Sequence, residues 1–542
     1  LTVFRSYPRA AAGLGALVLA AACTPPPPAS GPAPSGPPAP IPYVPLSTGL
    51  PPIPAVDAPL AIRLVAPEPG ESKPRRDSTF LYGSVGTGGA ALVVNGAQVP
   101  VAPNGAFLAY LPVPADGRWQ LTAYRNGQRA DTTYTYRTTS SPAARPQADT
   151  ATQAGAQGDT AGARAAAPAA TEVFATPRAG TVVRGGDTLA TGSDAVYARP
   201  TPTGPYRWFF PRGTRLALLE RRQAQYRVRL DTTTAWIDTA NVRLAADAAQ
   251  IPAIGAQVTL TAGAAPEVRV PAAFAPFLVT TDSAGLHVTV YGQAGPSTLR
   301  SATDDFVTGG ALDTSQPGSL RVDVALARWL WGYKAFYDQD GTLVVRIRRP
   351  PRIDPANPLR GIRIVVDPGH PPAGAIGPTG FHEKDANLAI GLRLADRLRA
   401  AGAIVDMTRT ADVVVDLAAR PAQAVREDAD LLISVHNNAF GEEANPFRDQ
   451  GTSTYWFQPN SADLARTLDR QIAGVTQIPD LGAKWGNLAL VRPTWMPSCL
   501  TESLFMPVPE QEAALRDPGF LDRLAQAHVD GIADFLRLRA SR

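Results

Sequence analysis

Residues 361–370 read Gly-Ile-Arg-Ile-Val-Val-Asp-Pro-Gly-His, and this stretch decides the fold of the last third of the chain. Ile362 to Val366 is a strand rich in β-branched residues, and it runs directly into Asp367-Pro368-Gly369-His370. A histidine just past the C-terminal end of a buried strand stands where open α/β sheets bind ligands. A Gly-rich loop follows, and Glu383 then opens a helix whose apolar stripe is expected to include Leu388, Leu392 and Ala395. A second strand, Leu431-Leu432-Ile433-Ser434-Val435, ends in His436-Asn437-Asn438. Strands alternating with helices after the boundary prolines (Pro350-Pro351, Pro355, Pro358) give an α/β domain.

Two of the chain's five histidines therefore occupy equivalent strand ends, with a glutamate opening the helix between them. Two His and one Glu form a catalytic zinc donor set, because three protein ligands leave the fourth position open. Each residue also has a plainer reading. A histidine after a strand is usually incidental, and a glutamate in a first helical turn is stabilised by the helix dipole.

Working outward, 542 residues exceed one ordinary core, so several domains are expected. Residues 1–23 read as a signal peptide: Arg5 and Arg9 precede a short apolar run from Ala10 to Ala22 that is brief for a membrane span. Cys23 follows Leu19-Ala20-Ala21-Ala22, either as a lipobox cysteine that anchors the chain to a membrane or as a bystander of ordinary signal cleavage. Residues 24–58 form a Pro-rich tether, an extended semi-rigid spacer. Residues 59–137 carry short alternating strands, with hairpin turns expected at Asn95-Gly96 and Asn126-Gly127, and are similar to an immunoglobulin-like β-sandwich. A second linker, 138–170, has almost no large apolar residues.

Residues 171–246 resemble an SH3-like barrel, in which Trp208, Phe209, Phe210 and Trp236 either fill the core or form a glycan- or peptide-binding face. Residues 250–350 form a third β-rich module; His287 there alternates with apolar neighbours and reads as an exposed strand residue. The fold class is therefore multidomain, with three small all-β modules followed by an α/β domain over 360–542. The run from Phe520 to Leu538 closes it as an amphipathic helix packed on the sheet.

A net charge of +4 without a Lys/Arg cluster argues against a nucleic-acid partner. Cys23 and Cys499 offer no disulfide framework. With no thiolate-favouring neighbour, Cys499 reads as a buried thiol and not a nucleophile.

Val365 to Ala439 resembles the zinc-dependent N-acetylmuramoyl-L-alanine amidases. The residues that carry the likeness are Val366-Asp367-Pro368-Gly369-His370, Gly380-Phe381-His382-Glu383-Lys384, Thr408-Arg409 with Asp412, Leu417 with Arg420, Ala429-Asp430 and Ser434-Val435-His436-Asn437-Asn438-Ala439. The resemblance implies His370, Glu383 and His436 as zinc ligands. It also implies Glu502, within Pro497-Ser498-Cys499-Leu500-Thr501-Glu502, as the general base; Glu510-Gln511-Glu512 with Leu515 continues the likeness.

The expected reaction is hydrolysis of the amide between N-acetylmuramic acid and L-alanine in peptidoglycan, by an exported periplasmic or cell-envelope enzyme. Two other functions fit the same residues: a non-catalytic peptidoglycan-binding wall protein, or a hydrolase of another amide-bearing peptide. Asp367 is either the orienting partner of a ligand histidine or a strand-end turn residue. Pro371-Pro372 replace the family's Gly-Gly, the loop to Glu383 is shorter, His382 adds a competing donor, and Ser503 to Met506 differ from the usual run. Phe440 to Gln450 is too short for the helical plug that some relatives carry, so no activator protein is expected to be required.

Overall fold

The computed structural model describes residues 38–541 apart from 48, 69, 75, 136, 140–170, 192–195 and 283–284. The expected signal segment with Cys23, the tether up to residue 37 and nearly all of the 138–170 linker lie outside the described residues. The chain is mostly β-structure followed by a C-terminal α/β domain. Among the described residues, no helix is long and apolar enough to cross a membrane.

The first β-region packs a three-stranded sheet (Arg63–Ala66, Ser78–Ser84, Ala106–Pro112) and a four-stranded one (Ala97–Val99, Ala91–Val94, Arg118–Arg125, Gln128–Thr135) on one core that includes Leu81, Phe107, Leu92 and Trp119. Both Asn-Gly turns take positive φ, with Asn95 at 46° and Asn126 at 47°, as two-residue hairpins require. The second is a seven-stranded antiparallel sheet around Trp208, Phe210, Leu218 and Val228. Trp208, Phe210 and Trp236 are buried and Phe209 packs on Phe457 of the α/β domain, so these rings fill cores and present no binding face. In the third, a five-stranded and a four-stranded sheet share a core that includes Phe277, Phe306 and Leu343. There His287 is not a free surface residue: its ring nitrogens lie 2.5 Å from Asp323 and 3.0 Å from Asp282.

The α/β domain has a six-stranded sheet in the order β2-β1-β3-β6-β4-β5. The strands are β1 (Arg363–Pro368), β2 (Ile404–Met407), β3 (Leu431–Asn438), β4 (Thr452–Trp456), β5 (Asp480–Trp485) and β6 (Ser498–Phe505). β2, β1, β3 and β6 are mutually parallel, while β4 runs antiparallel to β6. Helices α1 (Glu383–Ala400), α3 (Ala462–Thr476) and α5 (Pro518–Ala540) pack in one core with Ile364, Val366 and Val435; α2 (Ala419–Arg426) packs with Val365 and Leu432 in the other, and the short α4 (Pro509–Ala514) follows β6. Both faces of β1 are thus covered, which is why Ile364, Val365 and Val366 are apolar in succession with no polar alternation.

The buried stripe of α1 is Ala386, Ile390, Leu394, Ala395 and Leu398. It lies to one side of the expected Leu388–Leu392 line, and Leu392 is 37% exposed. Several apolar rows run along α1, and the neighbouring α5 selects which of them is buried.

The domain does not close on itself. Trp331, from the third β-region, lies in the α1–α3–α5 core at 1% exposure. Its Nε1 donates to Asp430 O at 3.0 Å, and its ring centroid is 5.7 Å from that of Phe535. Residues 40–58, expected as spacer, are also engaged: Tyr43 Oη and Leu46 N donate to the Glu510 carboxylate, and Val56 N donates to Pro103 O.

Candidate active site

Parallel pairing of β1, β3 and β6 brings their C-terminal ends together. His370 follows β1, His436 is the sixth residue of β3, and Glu383 opens α1 beside them. Candidate ligand atoms of the three residues all lie within 4.8 Å of one another. His370 Nε2 is 3.2 Å from Glu383 Oε2, and His436 Nδ1 is 3.1 Å from Glu383 Oε1. The imidazoles meet edge-on, with centroids 5.0 Å apart. Gly369 makes this approach possible, because a Cβ there would lie 2.1 Å from His436 Cε1.

Burial pushes the Glu383 carboxyl up, but hydrogen bonds and charge from His370 and His436 outweigh it and hold the group well below the carboxylate range. Burial lowers the His370 pKa; Glu383 overcomes this and raises it. His370 Nδ1 faces Pro372 O at 3.0 Å. Donation there leaves Nε2 with its lone pair toward Glu383, the tautomer a metal ligand needs.

The supports are polar and buried. Asn387, one helical turn after Glu383, donates to Glu383 Oε1 at 3.1 Å and to Gly369 O at 3.2 Å. Asn437 Nδ2 donates to Asn387 Oδ1 at 3.0 Å, and Ala375 N donates to Glu383 Oε2 at 2.9 Å. The sequence reading missed Asn387; its signal was the i,i+4 spacing from Glu383 on one helix face.

Arg420 Nη2 donates to His370 O and Pro371 O, and Arg409 donates to Pro368 O and Gly369 O, so two arginines pin the turn that presents His370. Asp367 makes no hydrogen bond to His370 or His436. Its buried carboxylate accepts from Arg420 Nη1 at 2.8 Å, from Ser434 Oγ at 2.7 Å and from Thr408 Oγ1. Burial opposes its ionisation, but these partners keep its pKa lowered. Asp367 anchors the turn, and the orienting role falls to Pro372 O.

Glu502 pairs in register with His436 across β3 and β6 and is 7% exposed. Its Oε2 is buried and has no hydrogen-bond partner among the described residues. Burial first, then the Glu383 charge, push the Glu502 carboxyl well above its usual range. An unpartnered buried oxygen costs free energy unless another group uses it. His382, at the α1 N-cap, is exposed and lies outside the cluster. Cys499 is fully buried and its thiol is pushed up by that burial, away from thiolate chemistry.

Fold and donor set together define an α/β domain with a site fit for a divalent metal. The family model described as N-acetylmuramoyl-L-alanine amidase matches residues 364–534. N-acetylmuramoyl-L-alanine amidase LytC of Bacillus subtilis is 33% identical over 187 residues, which cover 33% of this chain and 37% of that protein. Probable cell wall amidase LytH of Staphylococcus aureus is 35% identical over 180 residues, covering 32% and 59% respectively. The chain thus spans between about a third and three-fifths of these curated relatives. The solved catalytic domain of CwlV, N-acetylmuramoyl-L-alanine amidase from Bacillus (Paenibacillus) polymyxa var. colistinus, is 32% identical with a TM-score of 0.30, covering 32% of this chain and 98% of that one. The C-terminal domain, residues 364–534, belongs to the N-acetylmuramoyl-L-alanine amidase family.

Proposed function

We propose that this protein hydrolyses the amide bond between N-acetylmuramic acid and L-alanine in peptidoglycan, with zinc held by His370, Glu383 and His436 and with Glu502 as general base. The observation that carries the reading is the convergence of the three donors within 4.8 Å beside a buried, unpartnered Glu502 oxygen. Two imidazole nitrogens and one carboxylate are a donor set zinc prefers, and three ligands leave a position for chemistry. When bound, zinc polarises the scissile carbonyl and makes hydroxide available near neutral pH.

The protein groups do the rest. Glu502 takes the proton of the attacking water and delivers it to the leaving alanine nitrogen; its raised pKa suits a group that must both accept and release a proton. Asn387, Asn437 and the Ala375 N–H fix the Glu383 carboxylate, while Arg409 and Arg420 fix the turn carrying His370. An orphaned base beside a complete donor set favours catalysis over a wall-binding role alone.

The same proposal includes export by the 1–23 signal, a cell-envelope location with Cys23 as a lipid anchor, and immunoglobulin-like and SH3-like identities for the first two β-modules. It also includes independence from an activator, since residues 439–451 hold turns and no helix. Digestion of purified peptidoglycan by the full-length protein, with zinc and with chelator, tests the reaction. Chelator-sensitive release of peptides with free L-alanine amino termini is expected; release of sugar fragments or no release refutes it.

A further inference from the structure

The segments leaving β1, β3 and β6 form the rim of the site, since ligands of open α/β sheets bind beyond the carboxyl ends of the strands. The first β-module packs on all three. Phe80, Tyr82 and Leu108 share an apolar cluster with Phe505, the last residue of β6, and Val508 beyond it, and Phe440 beyond β3 packs against it, its ring 5.5 Å from that of Phe80. Arg76 lies 3.4 Å from the carboxylates of Glu442 and Glu443. The Arg63 guanidinium lies across Gly380, in the loop between His370 and Glu383: a Cβ on Gly380 would stand 2.7 Å from Arg63 Nη1.

Two other cations at the rim are paired, Arg76 with Glu442 and Glu443, and Lys384 with Asp385 and Asp412. Arg63 is exposed and has no carboxylate partner among the described residues. Gly380 is three residues from Glu383, so their Cα atoms are at most about 11 Å apart, and an extended peptide of three to four residues spans roughly 10–14 Å. A peptide whose first amide lies at the His370–Glu383–His436 cluster therefore has the length to bring a later carboxylate to Arg63.

We propose that the first β-module is a wall of the substrate groove and that Arg63 is a specificity-determining residue, pairing through its guanidinium with a carboxylate of the peptide that bears the scissile amide. The inference rests on the amidase reading above. A planar guanidinium binds carboxylate through two parallel N–H···O bonds, which discriminates against a carboxamide.

The experiment uses full-length zinc-loaded protein and two probes, an N-acetylmuramoyl-L-alanyl peptide with free carboxylates and its carboxamide counterpart. Arg63→Met should raise KM for the acid about tenfold, change kcat less than twofold and erase the preference for acid over amide. Arg63→Lys should retain part of that preference. Unchanged KM values and an unchanged preference in Arg63→Met would overturn the proposal. Cleavage of neither probe by the wild type would instead overturn the amidase reading; calorimetric binding of the acid probe to wild type and Arg63→Met then decides Arg63 independently, equal affinities overturning it.

Discussion

Gly369→Ala is a small change with a large expected consequence. The added Cβ would stand 2.1 Å from His436 Cε1 and 2.2 Å from Nε2, where ordinary contact begins near 3.4 Å. The backbone has little freedom to yield: Gly369 N donates to Val435 O at 2.9 Å, and Gly369 O accepts from Asn387 and Arg409. The imidazole must therefore retreat by more than about 1 Å, and a displacement of that size in a catalytic constellation costs on the order of 10²-fold. That corresponds to about 2.7 kcal/mol in kcat/KM. Zinc affinity, measured by competition with a chromogenic chelator, should fall alongside kcat/KM on a muramoyl peptide. Gly474→Ala is the control, since its Cβ meets nothing within 4 Å. Gly369→Ala protein with zinc affinity and rate within threefold of wild type would refute the placement of His436.

Other expectations concern stability. Trp331→Ala removes a side chain at 1% exposure together with its hydrogen bond to Asp430 O, and should destabilise by about 3–5 kcal/mol in urea titrations, with the third β-module and the α/β domain unfolding in one transition. Two separate transitions would show that the shared core does not couple them. His528 is fully buried, with Nδ1 2.8 Å from Leu524 O and Nε2 3.0 Å from Thr501 Oγ1, and burial pushes its pKa down to about 4. The unfolded imidazole titrates near 6.5, so between those values the unfolded chain binds more protons. Stability then falls as pH drops from about 6.5 to about 4, by roughly 3 kcal/mol in total. His528→Gln should flatten that part of the profile; an unchanged slope would assign acid sensitivity to other groups.

The donor set was legible because its signals are local. A β-branched run that ends in histidine, and a glutamate that opens a helix, can be read within a dozen residues. Asn387 carried only a helical spacing, and its partners Gly369 and Asn437 lie far away in sequence. Asp367 sits three residues from His370, yet its charge partner, Arg420, comes from α2. Chain proximity therefore suggested a hydrogen bond to histidine that the fold does not make. Trp331 has no marker distinguishing a tryptophan that fills its own module from one that fills a neighbour's core. The same holds for Phe209, whose ring meets Phe457 across the junction between modules. Residues 40–58 have the composition of a spacer, but composition does not report that Glu510 receives two of their donors.

The most direct test of the account separates the metal from the base. Glu502→Gln keeps shape and leaves the donor set intact, so it should bind zinc in the same stoichiometry and with the same affinity as wild type. Its release of L-alanyl peptides from peptidoglycan should fall by about 10²–10⁴-fold, the usual contribution of a general acid–base group. Cleavage at the wild-type rate, or loss of zinc from Glu502→Gln, would contradict the roles assigned to Glu502 and to the His370–Glu383–His436 cluster.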